Sequence, residues 1–450
     1  MRRTAVVRPL RRVIARVSDV PCVSWLILGF AFSYGLWFLR PVFLNGGVMS
    51  MPVYLPVEGR PSIGGDLQLT LDFSKALFTQ GSPYASGWGF PPLTAVLFAP
   101  LMGVRELAGS FSAYLVGVSA TLAALVWVLI ILPRDLFRDE RYGTVLTLVG
   151  VSALVSYGFQ FELERGQFHL VAVALALAAV WLFHRRPQLR LVAYGLLVVS
   201  THLKMYPIVF ALLMVDDWDS WGANLRRWTS LALANAVALF VLGPGVFVDF
   251  MRTISGIAGI PRGSALDHSL NSFTGLIAGY AATHDIRWLA NGVGAIKACL
   301  VACVIAAVLI VVVTAARRGD HGMNPYLLLV CALAACLLTP ESYDYKLTIL
   351  FGPVTYFLIH VMGALGQRSL SKSLLRGMLL FLAGVAYSST LFSYAYKTVP
   401  LSSSASAIVA SNTPALLVLL AVAVLTYVTA PEAALAIKSH GTSCGSNQDA

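Results

Sequence analysis

A handful of ionisable residues stand out in a sequence that is otherwise Leu, Val and Ala. Asp66 and Asp72 fall in "IGGDLQLTLDFSKALFTQGSPYASGWGFPPL", residues 63–93. Arg165, Gln167 and His169 belong to "ELERGQFH", His268 and Asn271 to "DHSLN", Tyr343 and Lys346 to "PESYDYK", and Lys204 stands between apolar runs. A single carboxylate at a membrane surface suits general-base chemistry. It takes the proton of a hydroxyl as that oxygen attacks a carbon bearing a good leaving group. A lipid phosphate as leaving group would need cations nearby, and Arg165, Lys204, His268 and Lys346 are the candidates. Asp66 and Asp72 are no acid–base pair: six residues apart on one helix, they point about 120° away from each other. Asp66 follows Gly64-Gly65, so a helix N-cap is its structural alternative.

Composition dictates what must carry these residues. Of the 450 residues 58% are hydrophobic and 12% charged, against about 25% charged in a soluble domain, so the polar residues cannot cover a water-facing surface. Apolar runs long enough to cross a bilayer recur to the end, which implies an all-α polytopic membrane protein. The net charge of +11 sits in a basic N-terminus and short loops, the positive-inside pattern, with membrane lipids rather than nucleic acid as partner. Of the cysteines, Cys299, Cys303, Cys331 and Cys336 lie inside apolar runs and read as small hydrophobes.

The basic loops order the spans. The N-terminus, "PRDLFRDER", "HRRPQLR", "GANLRRW", "ARRGDHG" and "GQRSLSKSLLR" all face the cytoplasm if the charge rule holds. About twelve crossings then result, on two conditions. Residues 90–104 dip in and return, and residues 190–214 form two short crossings broken near His202. The expected layout is a single membrane domain over 1–450, without an internal repeat. It has a cytoplasmic basic segment at 1–23, a first extracytoplasmic loop at 45–89 and a second at 249–285, both with amphipathic helices, and a disordered tail at 439–450. Asp66, residues 162–169, Lys204, residues 267–271 and residues 340–346 then converge on one extracytoplasmic face, where ionisable groups mark a functional site or are merely solvated loop charges.

Phosphate-loop, HExxH and CxxC motifs are absent. "DDWD" at 216–219 has the form of a metal-holding DxD, but among Trp218, Trp221 and Arg226 an interfacial belt is the better reading. No metal and no cofactor are expected.

The motifs together resemble the membrane glycosyltransferases of family 87, of the GT-C fold. Asp66, Gly81, Pro83-Tyr84 and Phe90-Pro91-Pro92 match the family's first outside loop in order and spacing. Gly166-Gln167-Phe168-His169 corresponds to its "GQxN", with His169 for Asn, and Lys204-Met205-Tyr206-Pro207 to its "KxxP". "DHSLNSFTG" and "TPESYDYK" correspond to two later motifs, the second without its Trp. The resemblance implies inverting transfer of one sugar, mannose or arabinofuranose, from a polyprenyl-phosphate donor to a lipid-linked, cell-wall or surface glycan, on a glycolipid or glycoprotein acceptor. Asp66 would be the general base. Tyr84, Arg165, Gln167, His169, Lys204, His268, Asn271, Tyr343 and Lys346 would bind substrate, at the outer face of a bacterial plasma membrane. A multi-pass transporter or lipid-linked glycan flippase is the alternative, since broken helices near Lys204 would suit a transport path.

Overall fold

The computed structural model describes residues 24–33, 63–79, 81–86, 88–137, 142–259, 263, 267–320, 322–363, 370–391 and 405–429. The basic segment 1–23, residues 45–62 of the first loop, residues 260–262 and 264–266 of the second, and the tail 439–450 lie outside the described residues. Among the described residues the chain is all-helical, with a single isolated β-bridge between Asp267 and Tyr343.

The helices that build the site are α1 (Gly65–Thr79), α2 (Pro92–Ala108), α3 (Ser110–Leu136), α4 (Tyr142–Leu154), α5 (Tyr157–Arg165), α6 (His169–Arg185) and α7 (Arg190–Leu203). After a 3-10 stretch, Tyr206–Leu213, come α8 (Trp221–Leu239), α9 (Pro244–Gly259), α10 (Leu270–Thr283), α11 (Arg287–Arg318) and α12 (Pro325–Leu337). A second 3-10 stretch, Asp344–Leu350, leads into α13 (Phe351–Gly363).

Among the described residues, three helical stretches suit a bilayer crossing by length and composition: Ser110–Leu136, Arg287–Arg318 and Asp344–Met362. The number becomes five if the bent pairs α4–α5 and α8–α9 each count as one. Twelve crossings are therefore not reached by length alone. The reason is local: α6 has 17 residues and α12 only 13, and Tyr206–Leu213 is 3-10.

Among the described residues, the basic loops around Asp135 and residues 185–190, 216–227 and 318–320 gather at one end of the bundle. Arg190 and Arg227 donate to the two oxygens of Asp216 at 2.6 and 2.7 Å. Trp218 Nε1 donates to the Asp320 carbonyl, and Tyr427 Oη to the Asp320 carboxylate, each at 2.6 Å. "DDWD" is thus an anchor between loops: Asp216 holds two arginines, and Asp217 accepts from the Asp219 amide and the Ser220 hydroxyl. Helices α6, α7 and α12 run from this end to the other, about 20–25 Å at 1.5 Å per residue. Asp66, Arg165, Lys204 and residues 339–346 lie at that opposite end.

α1 and α2 lie side by side there. Arg105 of α2 pairs with Asp72 of α1 at 2.7 Å, and Lys75 of α1 with Glu106 of α2 at 2.9 Å. The Pro91-Pro92 segment therefore starts one continuous helix along α1, rather than a dip and return. Its own prolines explain the reading: Pro92 is tolerated in the first turn, where its missing N–H is no loss. The break after α7 falls at Lys204-Met205, two residues beyond His202.

Candidate active site

Two glycines set the position of Asp66. Gly64 is left-handed, at φ 72°, and its amide donates to the Glu164 carbonyl at 2.6 Å. A Cβ on Gly64 would meet the Tyr114 ring at 2.9 Å. Gly166, at φ 68°, ends α5, and a Cβ there would meet Leu67 Cβ at 2.8 Å. Only residues without a side chain allow both the conformation and the close approach. The start of α1 is thereby docked against the α5–α6 turn, over a small core of Leu67, Leu71, Phe98, Ala113, Phe168, Ala172 and Leu203.

That docking places four of the sequence-selected residues in one hydrogen-bonded line. Arg165 grips Asp66 with two nitrogens, Nη2 to Oδ1 at 3.1 Å and Nε to Oδ2 at 3.2 Å. Gln167 Nε2 donates to Asp66 Oδ2 at 2.7 Å, and Gln167 Oε1 accepts from Lys204 Nζ at 2.6 Å. Lys204 Nζ also sits 4.4 Å from the centre of the Phe90 ring. A carboxylate offers about four lone-pair directions; among the described residues three donors occupy Asp66, leaving acceptor capacity on Oδ1.

Asp66, Gln167 and Lys204 of this line border a cleft of about 380 Å³. Asp66, Leu69, Thr70 and Phe73, at helical spacing, give it one wall from α1. Trp88, Phe90, Met205 and Ile254 make the apolar part, and His169, Tyr206, Thr339, Glu341, Tyr343, Tyr345 and Lys346 the polar part. Lys346 is almost fully buried; its Nζ donates to Thr339 Oγ1 and lies 4.7 Å from the Tyr206 ring centre.

The other sequence-selected residues stand elsewhere. Tyr84 is buried behind the cleft wall, its hydroxyl donating to the Phe90 carbonyl at 3.0 Å. His268 is enclosed: Nε2 lies 2.6 Å from Asp344 Oδ1, and Nδ1 accepts from the Asn412 amide. Asn271 accepts from Lys297 at 2.7 Å, on the face of α10 that meets α11. Asp267, beside His268, accepts from the Ser269 and Ser342 amides, and burial pushes its carboxyl upward against those two bonds. Residues 267–269 thus pin the 340–346 segment that carries Tyr343 and Lys346. His268→Ala would strip the buried Asp344 carboxylate of a partner and should cost about 1–3 kcal/mol. A lowered unfolding temperature in detergent is the expected result; an unchanged one would mean that the pin bears no load.

Sequence reasoning passed over Trp88, Tyr206, Thr339 and Glu341 as lining residues. Trp88 and Tyr206 stood inside quoted stretches, but an aromatic in an oily chain carries no mark of which way it faces.

The sequence model of glycosyltransferase family 87 matches residues 88–340, more than half of the chain. The chain belongs to this family. It is therefore a glycosyltransferase, and its apolar helices make it a membrane one. The matched stretch contains Arg165, Gln167, His169 and Lys204, whereas Asp66, Tyr343 and Lys346 lie beyond its ends. No curated protein matches the chain.

Proposed function

We propose that this family 87 enzyme moves one sugar, mannose or arabinofuranose, from a polyprenyl-phosphate donor to a lipid-linked, cell-wall or surface glycan, with inversion. The observation that carries the reading is the Asp66–Gln167–Lys204 line. It puts a carboxylate and a cation on the same cleft with one amide between them. In the step itself, the acceptor oxygen bonds to the anomeric carbon and gives its proton to Asp66. The bond from that carbon to the phosphate oxygen breaks, and its electron pair leaves with the lipid phosphate. Lys204 and Lys346 face the charge that grows there. Arg165 and Gln167 keep Asp66 in one orientation, so that the base is aimed before the substrate arrives. Leu69, Phe73 and Ile254 offer the donor lipid an apolar side. The experiment for this reading is transfer by purified protein from each of the two polyprenyl-phosphate sugars, with identification of the products.

The proposal puts the cleft at the outer face of a bacterial plasma membrane, supported by the gathering of basic loops at the opposite end. In a background lacking the native cysteines, Ser82→Cys and Thr283→Cys, both at exposed positions, should react with an impermeant thiol reagent on intact cells. Arg317→Cys, exposed at the basic end, should not. Labelling of Arg317→Cys alone would invert the orientation.

A further inference from the structure

We propose that Trp88 and His169 form a cradle for a sugar ring, with the Trp88 indole N–H donating to one of its oxygens. The inference rests on the glycosyl-transfer reading of the cleft and adds to it a residue, Trp88, and a chemical class of ligand.

Both side chains line the cleft and both are buried, at 3% and 5% exposure. They come from separate segments. Trp88 belongs to the stretch entering α2 and packs within 6.0 Å of Phe73 and Phe90 and 5.4 Å of Tyr84, between ring centres. His169 begins α6, stacked parallel to Tyr206 at 5.7 Å and tilted against Tyr345 at 5.0 Å. Among the described residues, Trp88 Nε1, His169 Nδ1 and His169 Nε2 have no hydrogen-bond partner. Buried polar groups are seldom left so, and each such group asks for an explanation.

The types of these atoms say what would satisfy them. An indole N–H only donates, while a neutral imidazole donates at one nitrogen and accepts at the other. One ligand serving all three must accept twice and donate once. An ionised phosphate oxygen cannot donate, and an isoprenoid chain does neither. A hydroxyl-rich ring does both, and its C–H faces suit the flanking aromatics. Lys204 and Lys346 remain for the phosphate. All three nitrogens are closed to water in this form, so the sugar engages them by turning the two rings as it enters.

The shared chemistry is a sugar, and either the donor or the acceptor could supply it. Trp88→Phe keeps the ring and removes the donor; His169→Phe keeps the stack and removes both nitrogens. Each should lower kcat/KM by roughly tenfold, mostly through KM, and the substrate whose KM rises is the occupant. Sugar binding is read separately, from the unfolding temperature of detergent-purified protein with methyl mannoside, methyl arabinofuranoside or inorganic phosphate. A glycoside should stabilise the wild type and do so less in both variants, while any effect of phosphate stays the same. Should a variant not fold, deoxy analogues of the stabilising glycoside test the wild type, and one deoxy position should weaken the shift. The cradle is overturned if neither glycoside stabilises the wild type, if Trp88→Phe responds like the wild type, or if only the phosphate response changes. A wild type that binds a glycoside through Trp88 but transfers from neither polyprenyl phosphate would keep the cradle and remove the proposed donor.

Discussion

Asp66→Asn should lower turnover by roughly 100-fold or more while the protein still folds. Asparagine keeps the shape of the side chain and one acceptor oxygen, so Gln167 retains a partner at the start of α1. What it loses is the ability to take a proton from the acceptor hydroxyl. Arg165 would face a neutral amide in place of a carboxylate; the pair is partly exposed, so the cost in stability stays small. Asp72→Asn is the matched control. Asp72 is an exposed residue paired with Arg105 on the α2 side of α1, and its loss should change turnover little. Near-normal transfer by well-folded Asp66→Asn would leave Asp66 as an anchor for the α5–α6 turn and no more.

Lys204→Met should lower turnover by roughly 10²–10³-fold, more than it weakens donor binding. The reason lies in when the charge appears. The leaving phosphate gains charge as the sugar bond breaks, so a fixed cation favours the transition state over the intact donor. Methionine keeps the length and apolar bulk that pack on Phe90 but removes the ammonium and its bond to Gln167. Among the described residues no carboxylate lies within ion-pair distance of Lys204. Full activity in Lys204→Met would move the phosphate site to Lys346, which reaches the same cleft from the 339–346 segment. With Lys346→Met the corresponding assay would then show the loss.

How far these residues were legible in the sequence depends on what decides their direction. Asp66, Arg165 and Lys204 could be grouped because the positive-inside rule puts their segments on one face, and Gln167 because it stands in the stretch matching "GQxN". His268 and Asn271 carry the same charge-loop signature yet point inward, to Asp344 and Lys297. That choice is made by partners 76 and 26 residues away, which no local pattern encodes. The all-helical class followed from composition. The number of crossings did not, because short and bent helices packed within a bundle need not meet the length rule of an isolated span. α2 shows the limit well: a Pro-Pro start reads as a break, whereas its salt bridges to α1 decide that it lies alongside that helix.

The central claim is that a sugar leaves a lipid monophosphate with inversion, with Asp66 as base. Purified protein should be given polyprenyl-phosphate mannose and polyprenyl-phosphate arabinofuranose with a glycan acceptor, and the anomeric configuration of the product determined by NMR. The account predicts transfer from one of the two donors, with the configuration opposite to that of the donor, and loss of that transfer in Asp66→Asn. Transfer with retention, or transfer only from a nucleotide sugar or a lipid diphosphate, would contradict it.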